Sequence, residues 1–175
     1  MLFRSRLIYH IGGDNSDKNA ALMAALSREG RYEISHDMKS GIEQFYGGYA
    51  SEEDCAAAIR YLFEESGYLI DTHTAVAYAV HQKYKKDTGD DTATLVASTA
   101  SPYKFSSAVL NAVEGRDMSE KSRTGNDFEI ARRLSRLSGT AVPVQLEELE
   151  NAQILYDTVC GKEDMESEVR KILGI

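Results

Sequence analysis

Basic charge, cysteine and proline are all scarce in this sequence. Twenty lysines and arginines stand against 28 aspartates and glutamates, so the 175-residue chain carries a net charge of −8. An acidic protein with a pI near 5.0 lacks the basic face that phosphate neutralisation needs, which excludes nucleic acid as the expected partner. The runs at residues 83–86 and 132–136 read as solvated helix faces. Only two cysteines occur, Cys55 and Cys160. They have no paired metal-ligand spacing and no dense disulfide framework, as expected of reduced thiols in a cytoplasmic protein. The apolar run at the start, Met1-Leu-Phe-Arg-Ser-Arg-Leu-Ile-Tyr9, is broken by two arginines. It cannot span a bilayer and has no signal-peptide core, so no membrane association is expected. Prolines number two, Pro102 and Pro143, and little else interrupts helices.

What is present is a series of helical patterns. Apolar residues make up 42% and charged residues 27% of the chain, enough for one globular domain over residues 1–175. Residues 4–11 read as a helix ended by Gly12-Gly13, and Asp14 or Ser16 is expected to cap a helix to about Glu29, with Gly30 beyond its end. A third helix is expected over residues 35–45. Ser51-Glu-Glu-Asp54 is a capping-box-like start for a helix that buries Cys55, Ile59, Leu62 and Phe63 and stops at Gly67. Asp71 or Thr72 caps the next, whose inner face is expected at Ala75, Val76, Ala79 and Val80. Further helices are expected over residues 104–113, 126–138 and 164–173. Thr94-Leu-Val-Ala-Ser98 is the better strand candidate, and the stretch from Ile154 to Cys160 a weaker one. One or two strands do not make a stable sheet. A helix–strand–helix stretch over residues 72–113 belongs to the pattern of a larger α/β fold. The expected fold class is therefore predominantly α with one or two short strands, a fragment of an α/β domain.

Two segments carry a family resemblance. Gly67-Tyr-Leu-Ile-Asp71-Thr72-His73-Thr74-Ala75-Val76-Ala77 and Leu95-Val-Ala-Ser98-Thr99-Ala100-Ser101-Pro102-Tyr103-Lys104-Phe105 resemble threonine synthase of the yeast and enterobacterial type. Phe45-Tyr-Gly-Gly-Tyr49 and Arg6-Leu-Ile-Tyr9 extend the likeness to nearly the whole chain. The resemblance departs at Thr72, where the family has proline, and at Ser101, where many members have histidine. It implies the C-terminal part of a fold-type-II enzyme dependent on pyridoxal 5′-phosphate (PLP), a lyase of threonine biosynthesis. That enzyme converts O-phospho-L-homoserine and water to L-threonine and phosphate. It also implies that Thr99 is cofactor-binding, with its hydroxyl at the pyridine nitrogen. A neutral hydroxyl there leaves the ring nitrogen essentially unprotonated, where an aspartate would hold a proton. Read without the resemblance, Thr99 is an N-cap or an ordinary hydroxyl at a strand end.

The resemblance is incomplete in two respects. The family's Schiff-base lysine lies in a Phe-Lys-Asp context, which no lysine here has, and the Gly-rich loop for the cofactor phosphate is also missing. Gly12-Gly13 and Gly47-Gly48 read instead as helix stops, and Lys104 as the head of a helix. Alone, the chain is expected to be inactive and to bind no PLP. Asp71 and His73 lack the third ligand a metal needs, and His73 and His81 stand about 12 Å apart along a helix, so no metal is expected. Cys55 reads as a core residue rather than a nucleophile. A different class of function fits the same sequence. In that reading the chain is a non-catalytic helical interaction domain that self-associates as a homodimer or binds a separate N-terminal piece through apolar surface around residues 72–113.

Overall fold

The computed structural model describes residues 2–120, 125–155 and 157–175. Among them are nine α-helices and no strand. Two compact units are formed, one from Met1–Ala50 and Val80–Thr94, the other from Ser51–Ala79 and Leu95–Ile175.

In the first unit α1 (Leu2–Ile11) packs on α2 (Ser16–Glu29), followed by α3 (His36–Ser40). Ile8 and Met38 are its buried side chains among the described residues. The cap of α2 is Asn15, not Asp14 or Ser16; its side chain accepts from the Lys18 amide at 2.9 Å. Asp14 is diverted because its backbone is left-handed, at φ 56°, and its carboxylate takes the His10 ring at 2.7 Å. The helix expected to run to residue 45 ends at Ser40. Beyond it the bonds tighten to three-residue spacing, Ile42 to Lys39 and Phe45 to Ile42, after Gly41 removes helix propensity.

The same unit contains the second half of α5 (Thr72–Thr88). Here Tyr46 donates to Asp87 and Tyr84 to Asp90, each at 2.6 Å, with the two rings edge to face at 5.1 Å. Gly48 is not a helix stop. A Cβ at Gly48 would lie 2.7 Å from Val80 Cγ1, so its lack of a side chain permits a close approach to α5. The residues 83–86 are not simply solvated either. Lys83 donates to the Tyr49 carbonyl at 3.0 Å, and Lys85 pairs with Asp91 at 2.8 Å.

The second unit holds α4 (Glu52–Ser66), the first half of α5, α6 (Ser106–Val113), α7 (Asp127–Ser138), α8 (Val144–Glu150) and α9 (Met165–Leu173). Its core is α6 packed against α4 and α7. Ile59, Val109, Leu110, Ala112 and Leu134 are each 0% exposed. Burying each of the leucines or Ile59 stabilises the fold by about 1.5–3 kcal/mol. The helix starts expected at Ser51 and Asn126 are present as full capping boxes, with Asp54 and Glu129 as the reciprocal partners. In that first box Asp serves where Glu is usual because its shorter carboxylate still reaches the Ser51 amide, at 3.0 Å. Arg60 donates to the Ala112 carbonyl at 3.0 Å and ties α4 to the end of α6. The basic run of α7 is also engaged, with Arg132 bidentate to Glu150 at 2.7 and 2.9 Å.

Three further expectations are corrected. Thr94-Leu-Val-Ala-Ser98 forms no strand, and Leu95 is 100% exposed. A strand needs a neighbour for its amides and carbonyls, and none of the described residues supplies one. The stretch from Ile154 to Cys160 is likewise not strand among its described residues, and Tyr156 lies outside them. The buried face of α5 is Thr74, Ala75 and Ala79, while Val76 is 38% exposed. The burial arc is turned back by one residue, because Thr74 is drawn inward by a hydrogen bond to Asp71. Helix α8, set off by Pro143, was not anticipated; its seven residues are too few to establish a period.

Candidate functional site

The two sequence segments singled out above meet in the second unit, and the meeting point is built from a helix start. Gly67 ends α4 in the left-handed conformation, at φ 68°, which a side chain would oppose. The chain then buries Leu69 and Ile70 and delivers Asp71, 0% exposed, to the start of α5. Asp71 is the cap. Its Oδ1 accepts from the backbone amides of His73 at 2.8 Å and Thr74 at 3.3 Å. Its Oδ2 accepts from the Thr74 hydroxyl. Burial pushes this carboxyl up, but the Thr74 hydroxyl, the two amides and the nearby His73 ring outweigh it, and the net shift is downward. Asp71 is therefore an anion at neutral pH, held in place by donors on its own helix.

The second segment joins through Ser98. Its hydroxyl lies 3.1 Å from Thr74 Oγ1 and 3.5 Å from Asp71 Oδ2. Thr99 follows directly. It lies in irregular backbone, is exposed, and makes no hydrogen bond among the described residues. Beyond it Ser101 caps the next turn by accepting from the Tyr103 amide at 3.2 Å. Tyr103 is buried, and its hydroxyl donates to the Thr140 carbonyl at 2.7 Å. His73 and Phe105 make a second contact between the segments, with ring centroids 5.4 Å apart. Lys104 is exposed over the Phe105 ring at 5.5 Å, in the four-residue turn Pro102–Phe105 that leads into α6.

Comparison with known proteins matches residues 74–166 to the family model described as threonine synthase, C-terminal. The chain belongs to this family. The matched stretch includes Thr74, Ser98 and Thr99. Human threonine synthase-like 1 is 30% identical over 102 residues, covering 58% of this chain and 13% of that protein. Threonine synthase of Pseudomonas aeruginosa is 26% identical over 141 residues, covering 80% of this chain and 30% of that protein. A crystal structure described as PLP-bound threonine synthase from Brucella melitensis aligns at TM-score 0.47 and 22% identity, covering 77% of this chain and 31% of that one. The chain thus spans under a third of the length of the threonine synthases it matches.

The resemblance assigns Thr99 to the PLP of the threonine synthase family. The Thr99 hydroxyl is exposed and has no competing partner among the described residues. The motif marks Thr99 and does not disclose the contacts among Asp71, Thr74 and Ser98 beside it. Thr74 had a weak local signal, a hydroxyl three residues after a capping aspartate. Ser98 had none, since its partners lie 24 and 27 residues away. Among the described residues no three potential ligands converge as a metal site, and no helix is long and apolar enough to cross a membrane. Cys55 is buried on α4 and Cys160 is exposed.

Proposed function

We propose that this chain is the C-terminal segment of a threonine synthase that converts O-phospho-L-homoserine and water to L-threonine and phosphate. Its part is to present the Thr99 hydroxyl to the pyridine nitrogen of PLP. The observation that carries the reading is the family match over residues 74–166, which includes an exposed Thr99 at the joint of two motif segments. When bound, the cofactor supplies an electron sink. Thr99 would donate a hydrogen bond to the ring nitrogen without protonating it, and so set how strongly the ring withdraws electrons. The chain's own lysines lack the family context for the cofactor aldehyde, so the 175 residues would not run the reaction alone. Expected results are no threonine from phosphohomoserine and PLP with the purified chain, and a shifted visible absorbance of bound PLP when Thr99→Ala replaces the wild type in a threonine synthase completed with this segment. Threonine formation by the chain alone would sink the inactivity; an unshifted band would sink the role of Thr99. A cytoplasmic location accords with this biosynthetic role.

A second reading, a non-catalytic interaction domain, is favoured by α9. Met165, Val169, Ile172 and Leu173 line one side of that helix and are 54–71% exposed. Such a stripe suits self-association or the docking of a separate N-terminal piece. Light scattering tests it: a monomer in the wild type, unchanged by Ile172→Glu, argues against self-association.

A further inference from the structure

Asp71 does more than a helix cap requires. A cap needs one carboxylate oxygen, and Oδ1 alone serves the His73 and Thr74 amides. Oδ2 is left for side chains. It accepts the Thr74 hydroxyl, and the Ser98 hydroxyl lies within 3.1 Å of Thr74 Oγ1 and 3.5 Å of Oδ2. The Thr74 hydroxyl is shared between Oδ2 and the Ser98 oxygen, and Ser98 donates its own proton to Oδ2 at 3.5 Å, so both hydroxyls converge on Asp71. Asp71 is 0% and Thr74 5% exposed, so the inner two members of this chain are shielded from competing water. Ser98 is the outer member, at the surface. Its successor Thr99 lies one planar peptide unit away, about 3.8 Å between Cα atoms. The surrounding stretch has no helix or strand to hold it. The Ser98 side chain is its anchor on the N-terminal side of Thr99, as the Ser101 cap is on the other.

We propose that Asp71 is a positioning residue which, acting through Thr74 and Ser98, fixes the direction in which the Thr99 hydroxyl is presented. This inference rests on the ring-nitrogen role of Thr99 given above. Preorganising the donor removes the ordering cost from the moment of cofactor contact. Neither Asp71, Thr74 nor Ser98 needs to touch the cofactor for this.

The test uses backbone ¹⁵N relaxation of the 175-residue chain without PLP. Ser98→Ala cuts the link but leaves the cap of α5 and the buried Asp71–Thr74 pair intact. The Thr99 order parameter is expected near the rigid value of about 0.85 in the wild type and below about 0.6 in Ser98→Ala. Amides of α4, α6 and α7 should not change. Thr74→Val should act like Ser98→Ala, and Thr74→Ser, which keeps the hydroxyl, should restore the wild-type value. A Thr99 order parameter unaltered in Ser98→Ala, or already low in the wild type, overturns the positioning role. If Asp71→Asn or Thr74→Val unfolds the chain, Ser98→Ala decides the matter. The two failures are separate. Unaltered relaxation overturns the positioning by Asp71, whereas an unshifted PLP band in Thr99→Ala overturns the ring-nitrogen reading beneath it.

Discussion

Helices α7 and α9 share one design and meet opposite fates. Both begin with acidic residues, end with basic ones and stop at a left-handed glycine, Gly139 or Gly174. Both carry apolar side chains three or four residues apart. In α7 those side chains, Ile130, Ala131 and Leu134, are 0–5% exposed. In α9 Val169, Ile172 and Leu173 remain 54–71% exposed. An apolar stripe is therefore a demand for a partner, not evidence that one is present. α7 has its partner in α6, whereas the described residues leave the stripe of α9 uncovered.

The comparison can be broken from the α7 side. Leu134→Ala should cost about 2–5 kcal/mol in a urea melt, through lost burial and a residual cavity. A cost under about 1 kcal/mol would mean that α7 is no better packed than α9. Next comes the joint before α5. Asp71→Ala strips partners from two amides and from the buried Thr74 hydroxyl, at about 1–3 kcal/mol. Acid sharpens the same point. Asp71 lies below its ordinary 3.8, and Asp90 is lowered to about 2 by the Thr92 hydroxyl, the Tyr84 hydroxyl, the Thr92 amide and Lys85. A depressed folded-state pKa means stability present above about 4 and lost as pH falls from there toward about 2. The unfolding free energy should decline across that window, and less steeply in Asp90→Asn. Tyr103→Phe removes the donor to Thr140 for about 0.5–1.5 kcal/mol. The smallest effect belongs to α9, where Val169→Asn should stay within about 0.5 kcal/mol. A loss as large as that of Leu134→Ala would show the stripe covered in solution, and by a second copy if it grew with protein concentration.

Much of the fold was legible because helix ends are local chemistry. The Ser51–Asp54 box and the glycines at 30 and 67 act within four residues of the groups they satisfy. Asn15 escaped because three neighbouring residues could each cap α2, and the choice fell to the His10–Asp14 contact. The glycine pair at 47–48 misled for a similar reason. A glycine that ends a helix and one that admits a neighbour look alike until Val80 is seen beside Gly48. The motif marks Thr99, but the contact of Ser98 with Thr74 and Asp71 beside it has no local signal.

By itself, then, the sequence determined the family, the helical character and most of the helix starts and stops. Each depends on residues close together along the chain, or on motifs that survive being read in one dimension. Tertiary structure alone decided that Thr94-Leu-Val-Ala-Ser98 is no strand, that the apolar face of α7 is covered, and that Ser98 reaches Asp71 across 27 residues. Pairing and burial depend on which distant groups arrive, and no local pattern contains that information.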